Sequence, residues 1–116
     1  MKLLWLDDIR NPFESNWVQR FSPISNPEII WIKSYTEFVN YIMQNGLPDA
    51  ICFDHDLGDI SENDKTGYDC AKYLVDYCLD NDLDIPKFNI QSDNGPGSDN
   101  IRMLLNNYHK FYISKG

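Results

Sequence analysis

The stretch Ala50-Ile51-Cys52-Phe53-Asp54-His55-Asp56 decides how this chain folds. Four apolar residues without a polar break are the pattern of a strand buried on both faces, as in a parallel sheet. The run then turns at once to three ionisable side chains, which puts candidate chemistry at the strand's carboxyl end. The same order recurs at the N-terminus, where Lys2-Leu3-Leu4-Trp5-Leu6 gives way to Asp7-Asp8.

Outward from these two runs, strands alternate with helices. Glu28 to Lys33, containing Ile29-Ile30-Trp31-Ile32, reads as the second strand in chain order, and Lys87 to Gln91 as the fourth. Ser34-Tyr35-Thr36-Glu37 has the form of a capping box, and Phe38, Val39, Ile42 and Met43 share a helical face before Gly46, so a helix is expected over Tyr35 to Asn45. Ala71, Leu74, Val75, Cys78 and Leu79 recur at helical spacing and predict a helix from Tyr68 to about Asp80. Ser98 is the expected N-cap of a third helix carrying Ile101, Leu104, Leu105 and Tyr108, and Lys110 to Ser114 is expected to add a very short fifth strand. Phe13, Trp17 and Phe21 after Asn11-Pro12 allow a short helix, and Gly58 to Thr66 reads as a surface loop beside the acidic run. The alternation predicts one α/β domain over residues 1–116, a mostly parallel five-stranded sheet covered on both faces.

Composition narrows the function. Eighteen acidic residues against ten Lys and Arg give a formal charge of -8, which opposes non-specific DNA binding because no counterions are released from the polyanion. A single phosphorylated ligand stays open, since a divalent cation can bridge carboxylates to phosphate. Cys52, Cys70 and Cys78 show neither disulfide nor zinc spacing and are expected to be buried, reduced thiols. The apolar run at the N-terminus is too short for a signal segment or a membrane span, so a cytoplasmic location is expected.

In open α/β sheets, sites form beyond the carboxyl ends of the strands, where the strand order switches. If the first and third strands are neighbours, Asp7, Asp8, Asp54 and Asp56 converge, and like-charge repulsion calls for a compensating cation. Magnesium is the natural candidate because it takes hard oxygen ligands and keeps waters for a phosphate to displace. Solvated acidic loop ends are the ordinary alternative. His55, between two aspartates, is a candidate general acid, against the plainer role of a loop histidine bonded locally. His109 is read as structural. Ser92, Asn94 and Gly97 lie where hydroxyl and backbone donors can meet a phosphate, and Arg10 and Lys115 are candidate basic contacts at the same rim.

Asp7-Asp8, Asp54, Ser92 and Lys115, each after a predicted strand, together resemble the receiver domain of two-component response regulators, a flavodoxin-like three-layer sandwich. The resemblance implies that Asp7, Asp8 and Asp54 hold magnesium, that Asp54 accepts a phosphoryl group, and that Ser92 and Lys115 contact its oxygens. Leu6-Asp7-Asp8-Ile9-Arg10-Asn11-Pro12, Phe53-Asp54-His55-Asp56-Leu57-Gly58, Thr66-Gly67-Tyr68-Asp69 and Ser92-Asp93-Asn94 with Gly97 and Met103 look like one branch, the cyclic-phosphate processing receiver family of phages and bacteria. That resemblance implies metal-dependent binding or hydrolysis of a cyclic phosphate on a nucleotide or RNA end, with Asp54, His55 and Asp56 as the catalytic residues. A stand-alone phospho-acceptor, or a degenerate receiver that binds a protein partner such as a host protein, is the alternative. Two departures from the family are visible. Gln91 stands where a histidine is frequent, and the chain reaches Gly116 without the last receiver helix, which leaves surface for a partner to cover.

Overall fold

In the computed structural model, which describes residues 1–57, 65–91 and 95–115, strands and helices alternate as β1 (Lys2–Leu6), α1 (Trp17–Phe21), β2 (Glu28–Ile32), α2 (Tyr35–Asn45), β3 (Ala50–Phe53), α3 (Gly67–Asn81), β4 (Lys87–Ile90) and α4 (Gly95–Lys115). The strands form one parallel sheet in the order β2-β1-β3-β4. Chain order runs outward from β1 to β2 and then resumes on the other side at β3. The switch therefore falls between β1 and β3, with Leu6 opposite Phe53.

Alternation along each strand sorts the core into two layers. Leu4, Leu6, Ile51 and Phe53 face α2, α3 and α4 and join Phe38, Ile42, Leu74, Ile101 and Leu105. Leu3, Trp5, Ala50 and Cys52 face the other way, where Trp17, Val18, Phe21 and Ile24 cover them. Each fully buried large apolar side chain contributes about 1.5–3 kcal/mol. The second layer is thin, resting on a five-residue helix and its flanking loops.

The helix ends follow the sequence chemistry. The Ser34 side chain accepts from the Glu37 N–H at 3.2 Å, and Gly46 ends α2 at a φ of 77° that other residues resist. Thr66 caps α3, accepting from the Tyr68 N–H at 3.2 Å while its own N–H donates to Asp69 Oδ2 at 2.8 Å.

The fold departs from expectation at its C-terminal end. Among the described residues the sheet has four strands, and Lys110 to Ser114, expected as a fifth, lies within α4. The apolar stripe of that helix simply continues: Tyr108 stacks on Tyr112 with ring centroids 6.3 Å apart, an i,i+4 pair. Both hydroxyls reach the turn after α3, Tyr108 donating to Leu83 O at 2.6 Å and Tyr112 to Asp82 O at 3.4 Å. No glycine or proline between Ser98 and Lys115 interrupts the run. Ser98 is not the cap; α4 begins three residues earlier, with Pro96 in its first turn.

Candidate functional site

The β1/β3 switch brings the first acidic pair to the third strand. One carboxylate oxygen from each of Asp7, Asp8 and Asp54 lies within 4.8 Å of the other two. Asp7 is fully buried and Asp54 nearly so. Backbone bonds fix both: Asp7 N donates to Ile32 O at 3.0 Å and Asp54 N to Leu6 O at 2.9 Å. Asp7 also builds its own turn. Its Oδ1 accepts from the N–H groups of Ile9 and Arg10, both at 2.9 Å, and Oδ2 lies 3.4 Å from Arg10 NH1. Two indoles fasten that turn, with Trp31 Nε1 donating to Asp7 O at 2.7 Å and Trp5 Nε1 to Arg10 O at 2.9 Å.

His55 follows Asp54 out of the strand and is held from three sides. Its Nδ1 lies 2.8 Å from Asp56 Oδ1, and its carbonyl accepts from the Gly67 N–H at 2.8 Å. The third side is Gly97, where any Cβ would overlap the imidazole ring. Gly67 is equally constrained, since a Cβ there would run into the Asp54 carbonyl. Two helix starts thus close on one dipeptide, and both positions are glycine because no side chain fits between helix and loop. The first turns of α3 and α4 bring positive potential to this edge.

A cleft of about 370 Å³ opens here, lined by Ile9, Arg10, Trp17, Asp54 and Asp56. The Arg10 guanidinium sits 5.4 Å from the centre of the Trp17 ring. A larger concavity, about 690 Å³, lies along the 12–29 segment with Phe13, Gln19 and Ile24 in its wall, and has none of the converging aspartates in its lining. The smaller cleft has one member of the carboxylate triplet, Asp54, in its wall, which makes it the candidate site.

The three oxygens suit a hard divalent cation. Magnesium takes oxygen ligands at about 2.0–2.1 Å, and one oxygen from each of the three carboxylates is near enough to the others to share such an ion. Soft metals are disfavoured by the all-oxygen set. The cysteines stay out of it: burial pushes the thiols of Cys52 and Cys78 up to about 12, the latter with help from the Asp84 carboxylate, and keeps both protonated.

Residues 2–107 match the family model of the cyclic-phosphate processing receiver domain. The chain belongs to that family. No curated protein and no solved structure matches it. Among the described residues of this receiver domain, no helix is long and apolar enough to cross a membrane.

Within the receiver domain, the expected site residues divide. Asp7, Asp8, Arg10, Asp54, His55 and Gly97 gather at the carboxyl edge. Asp56 stands beside the carboxylate triplet, its side chain 68% exposed and paired with His55. Ser92 and Asn94 lie outside the described residues, as does most of the loop expected over Gly58 to Thr66. Lys115 is a correction. It pairs with Asp82, the C-cap of α3, at the other end of a helix about 22 Å long from the Gly67 end that meets Asp54. The cause is the helical continuation of 110–114, which carries Lys115 away from the edge that a fifth parallel strand would have reached. His109 has a structural partner, Asp84 Oδ2 at 2.7 Å.

Three residues have bonding or lining roles that the sequence did not show, Gln91 among them although its place was noted. Gln91 is buried and ties the sheet together, Nε2 donating to Leu6 O at 3.1 Å across β3, while its own N–H donates to Phe53 O at 3.0 Å. Trp17 and Trp31 carried no periodicity that could distinguish a cleft wall or a turn anchor from ordinary core.

Proposed function

We propose that this edge binds a cyclic phosphate together with a divalent cation, magnesium by preference, and hydrolyses it. The observation that carries the reading is the convergence of Asp7, Asp8 and Asp54 in a cyclic-phosphate processing receiver domain, against like-charge repulsion that a ligand would relieve. When bound, the cation offsets phosphate charge and polarises the P–O bonds.

The chain's own groups supply the rest. Arg10 faces the cleft with a fixed positive charge and is itself held by Asp7 and the Trp17 ring. With its Nδ1–H given to Asp56, His55 acts as a proton donor through Nε2 in the doubly protonated, imidazolium form. In the reaction, a water oxygen bonds to phosphorus and one ring ester bond breaks. The departing oxygen takes the proton from His55 Nε2, and the proton shed by water passes to Asp54 or to solvent. Ser92, Asn94 and the Gly97 turn are assigned to the phosphate oxygens. Gln91 has no ionisable proton to give, which leaves His55 as the proton donor of this scheme.

Incubation with 2′,3′-cyclic nucleotides, RNA ends and cyclic di- and trinucleotides tests the reading. Ring opening that requires magnesium, stops with EDTA and falls about 10²–10⁴-fold in His55→Asn is expected. Neither turnover nor magnesium-dependent binding with any of them would remove it. The alternative, a stand-alone phospho-acceptor, draws support from the position of Asp54 alone, whereas the lysine expected to contact its phosphoryl group is paired with Asp82. Labelling of Asp54 by acetyl phosphate in magnesium, abolished in Asp54→Asn, would favour it.

A further inference from the structure

Among the described residues, buried side-chain atoms without a hydrogen-bond partner occur only at the carboxyl edge, and Gln91 Oε1 and Ser98 Oγ are two of them. A stranded buried acceptor lowers stability, so native proteins keep few, and one that persists calls for a ligand or a bound water. Gln91 is only 3% exposed, and bulk solvent does not satisfy its oxygen. Its place in the fold says what does. Asp7, Asp54 and Gln91 form one row: each is the first residue after its strand, and each donates its N–H to the last carbonyl of the neighbouring strand, Asp7 to Ile32, Asp54 to Leu6 and Gln91 to Phe53. Leu6, Phe53 and Ile90 are aligned in register, so the three side chains that follow them leave the sheet on the same face. The Gln91 amide then reaches back across the Asp54 rung, with Nε2 donating at 3.1 Å to the Leu6 carbonyl that also takes the Asp54 N–H. That bond fixes the amide, since turning it over would set oxygen against oxygen, and Oε1 is held as an acceptor next to Asp54.

An acceptor has nothing to offer the ionised oxygens of a phosphate diester, which carry no hydrogen. It suits water. Resting on the cyclic-phosphate reading, we propose that Gln91 orients the water that attacks phosphorus. Asp54 and Gln91 Oε1 take one hydrogen bond each from that water, which turns a lone pair of its oxygen toward phosphorus. As the new P–O bond forms and one ring ester bond breaks, the hydrogen on Asp54 leaves as a proton, the hydrogen on Oε1 stays with the phosphate as its hydroxyl, and the departing oxygen is protonated by His55. An amide does this without adding another negative charge to Asp7, Asp8 and Asp54, where a carboxylate would meet like-charge repulsion.

Gln91→Met keeps the length of the side chain and removes both ends of the amide. Turnover of 2′,3′-cyclic nucleotides and cyclic dinucleotides, calorimetric titration with magnesium alone, and urea unfolding in EDTA read the result. kcat is expected to fall about 10²-fold, with KM and magnesium affinity within about twofold of the parent's. The unfolding midpoint should stay near the parent's, because relief of the stranded acceptor offsets the lost bond to Leu6. An unchanged kcat overturns the role. So does weaker magnesium binding, which would make Oε1 a ligand of the cation, or a raised KM at constant kcat, which would make it a substrate contact. Should Gln91→Met not fold, crystals of the parent grown in magnesium decide the matter: a water about 2.7–3.0 Å from both Gln91 Oε1 and an Asp54 carboxylate oxygen is expected, and Oε1 without one overturns the role. Each of these failures leaves the cyclic-phosphate reading standing. A parent that neither binds nor opens any cyclic phosphate overturns both.

Discussion

The two ends of the sheet treat charge in opposite ways. At the carboxyl edge, Asp7, Asp8 and Asp54 bring like charges within 4.8 Å. At the other end, the turn after α3 pairs its acids with bases: Asp84 meets His109 at 2.7 Å, Asp82 meets Lys115, and the Leu83 carbonyl takes the Tyr108 hydroxyl. The far end fastens α4 to α3. The near end instead concentrates negative charge, and like-charge repulsion there works against stability. The comparison also separates two kinds of close approach. Gly67 and Gly97 bring helix starts onto Asp54 and His55, whereas the far end is bridged by long side chains.

The sharpest break would come from Asp54→Asn. Without metal, in EDTA, the variant should unfold at higher denaturant than the parent, because a like charge on the order of 1 kcal/mol is removed. In magnesium the parent should gain stability by ligand linkage and the variant should gain little, with turnover of any cyclic phosphate lost by about 10² or more. An Asp54→Asn protein that is less stable in EDTA would mean that this carboxylate is structural, and the contrast between the two ends would fall.

Next in size is Gly97→Ala. A methyl there meets the His55 ring, whereas the same change at Gly67 meets the Asp54 backbone. Gly67→Ala should therefore cost about 1–3 kcal/mol in urea unfolding, as overpacking does. Gly97→Ala should cost less stability but displace the imidazole and lower turnover by about 10²-fold. Equal stability losses from both, with turnover intact in Gly97→Ala, would show His55 to be packing rather than chemistry.

At the far end, Tyr108→Phe should cost about 1 kcal/mol for its hydrogen bond to Leu83 O, visible in a denaturant midpoint, with ligand binding unmoved.

Much of this was legible in the sequence where one physical cause dominated. Apolar runs of Lys2–Leu6 and Ala50–Phe53 can only be buried strands in so short a chain, and the capping chemistry of Ser34 fixed the start of α2 to the residue. The three converging carboxylates were legible because two strand ends carried them and parallel neighbours must align those ends. The end of α4 was not. Phe111-Tyr112-Ile113 has strand-like composition, and what makes it helical is tertiary: hydroxyl bonds from Tyr108 and Tyr112 to a turn nearly thirty residues earlier. The misplacement of Lys115 follows from that one error. Gln91 and Trp17 were hidden for another reason, since which side chain walls a cleft depends on loop paths that periodicity does not encode.

Lys115→Met is the smallest expected change and the one that tests the correction most directly. The hydrogen bond to Asp82 raises the Lys115 pKa above its ordinary 10.5, so the pair is fully formed at neutral pH, and its contribution is lost as pH rises through the raised value. Both partners face water, and screening leaves such a pair little weight. The denaturant midpoint of Lys115→Met should lie close to the parent's at pH 7 and merge with it at strongly alkaline pH. Magnesium-dependent binding of a cyclic phosphate should be the same in both proteins, because the ammonium sits a helix length from Asp54. A variant that folds like the parent yet loses that binding would bring Lys115 back to the carboxyl edge. The end of α4 would then have to rearrange when ligand binds, and the far end could no longer be treated as a passive clamp.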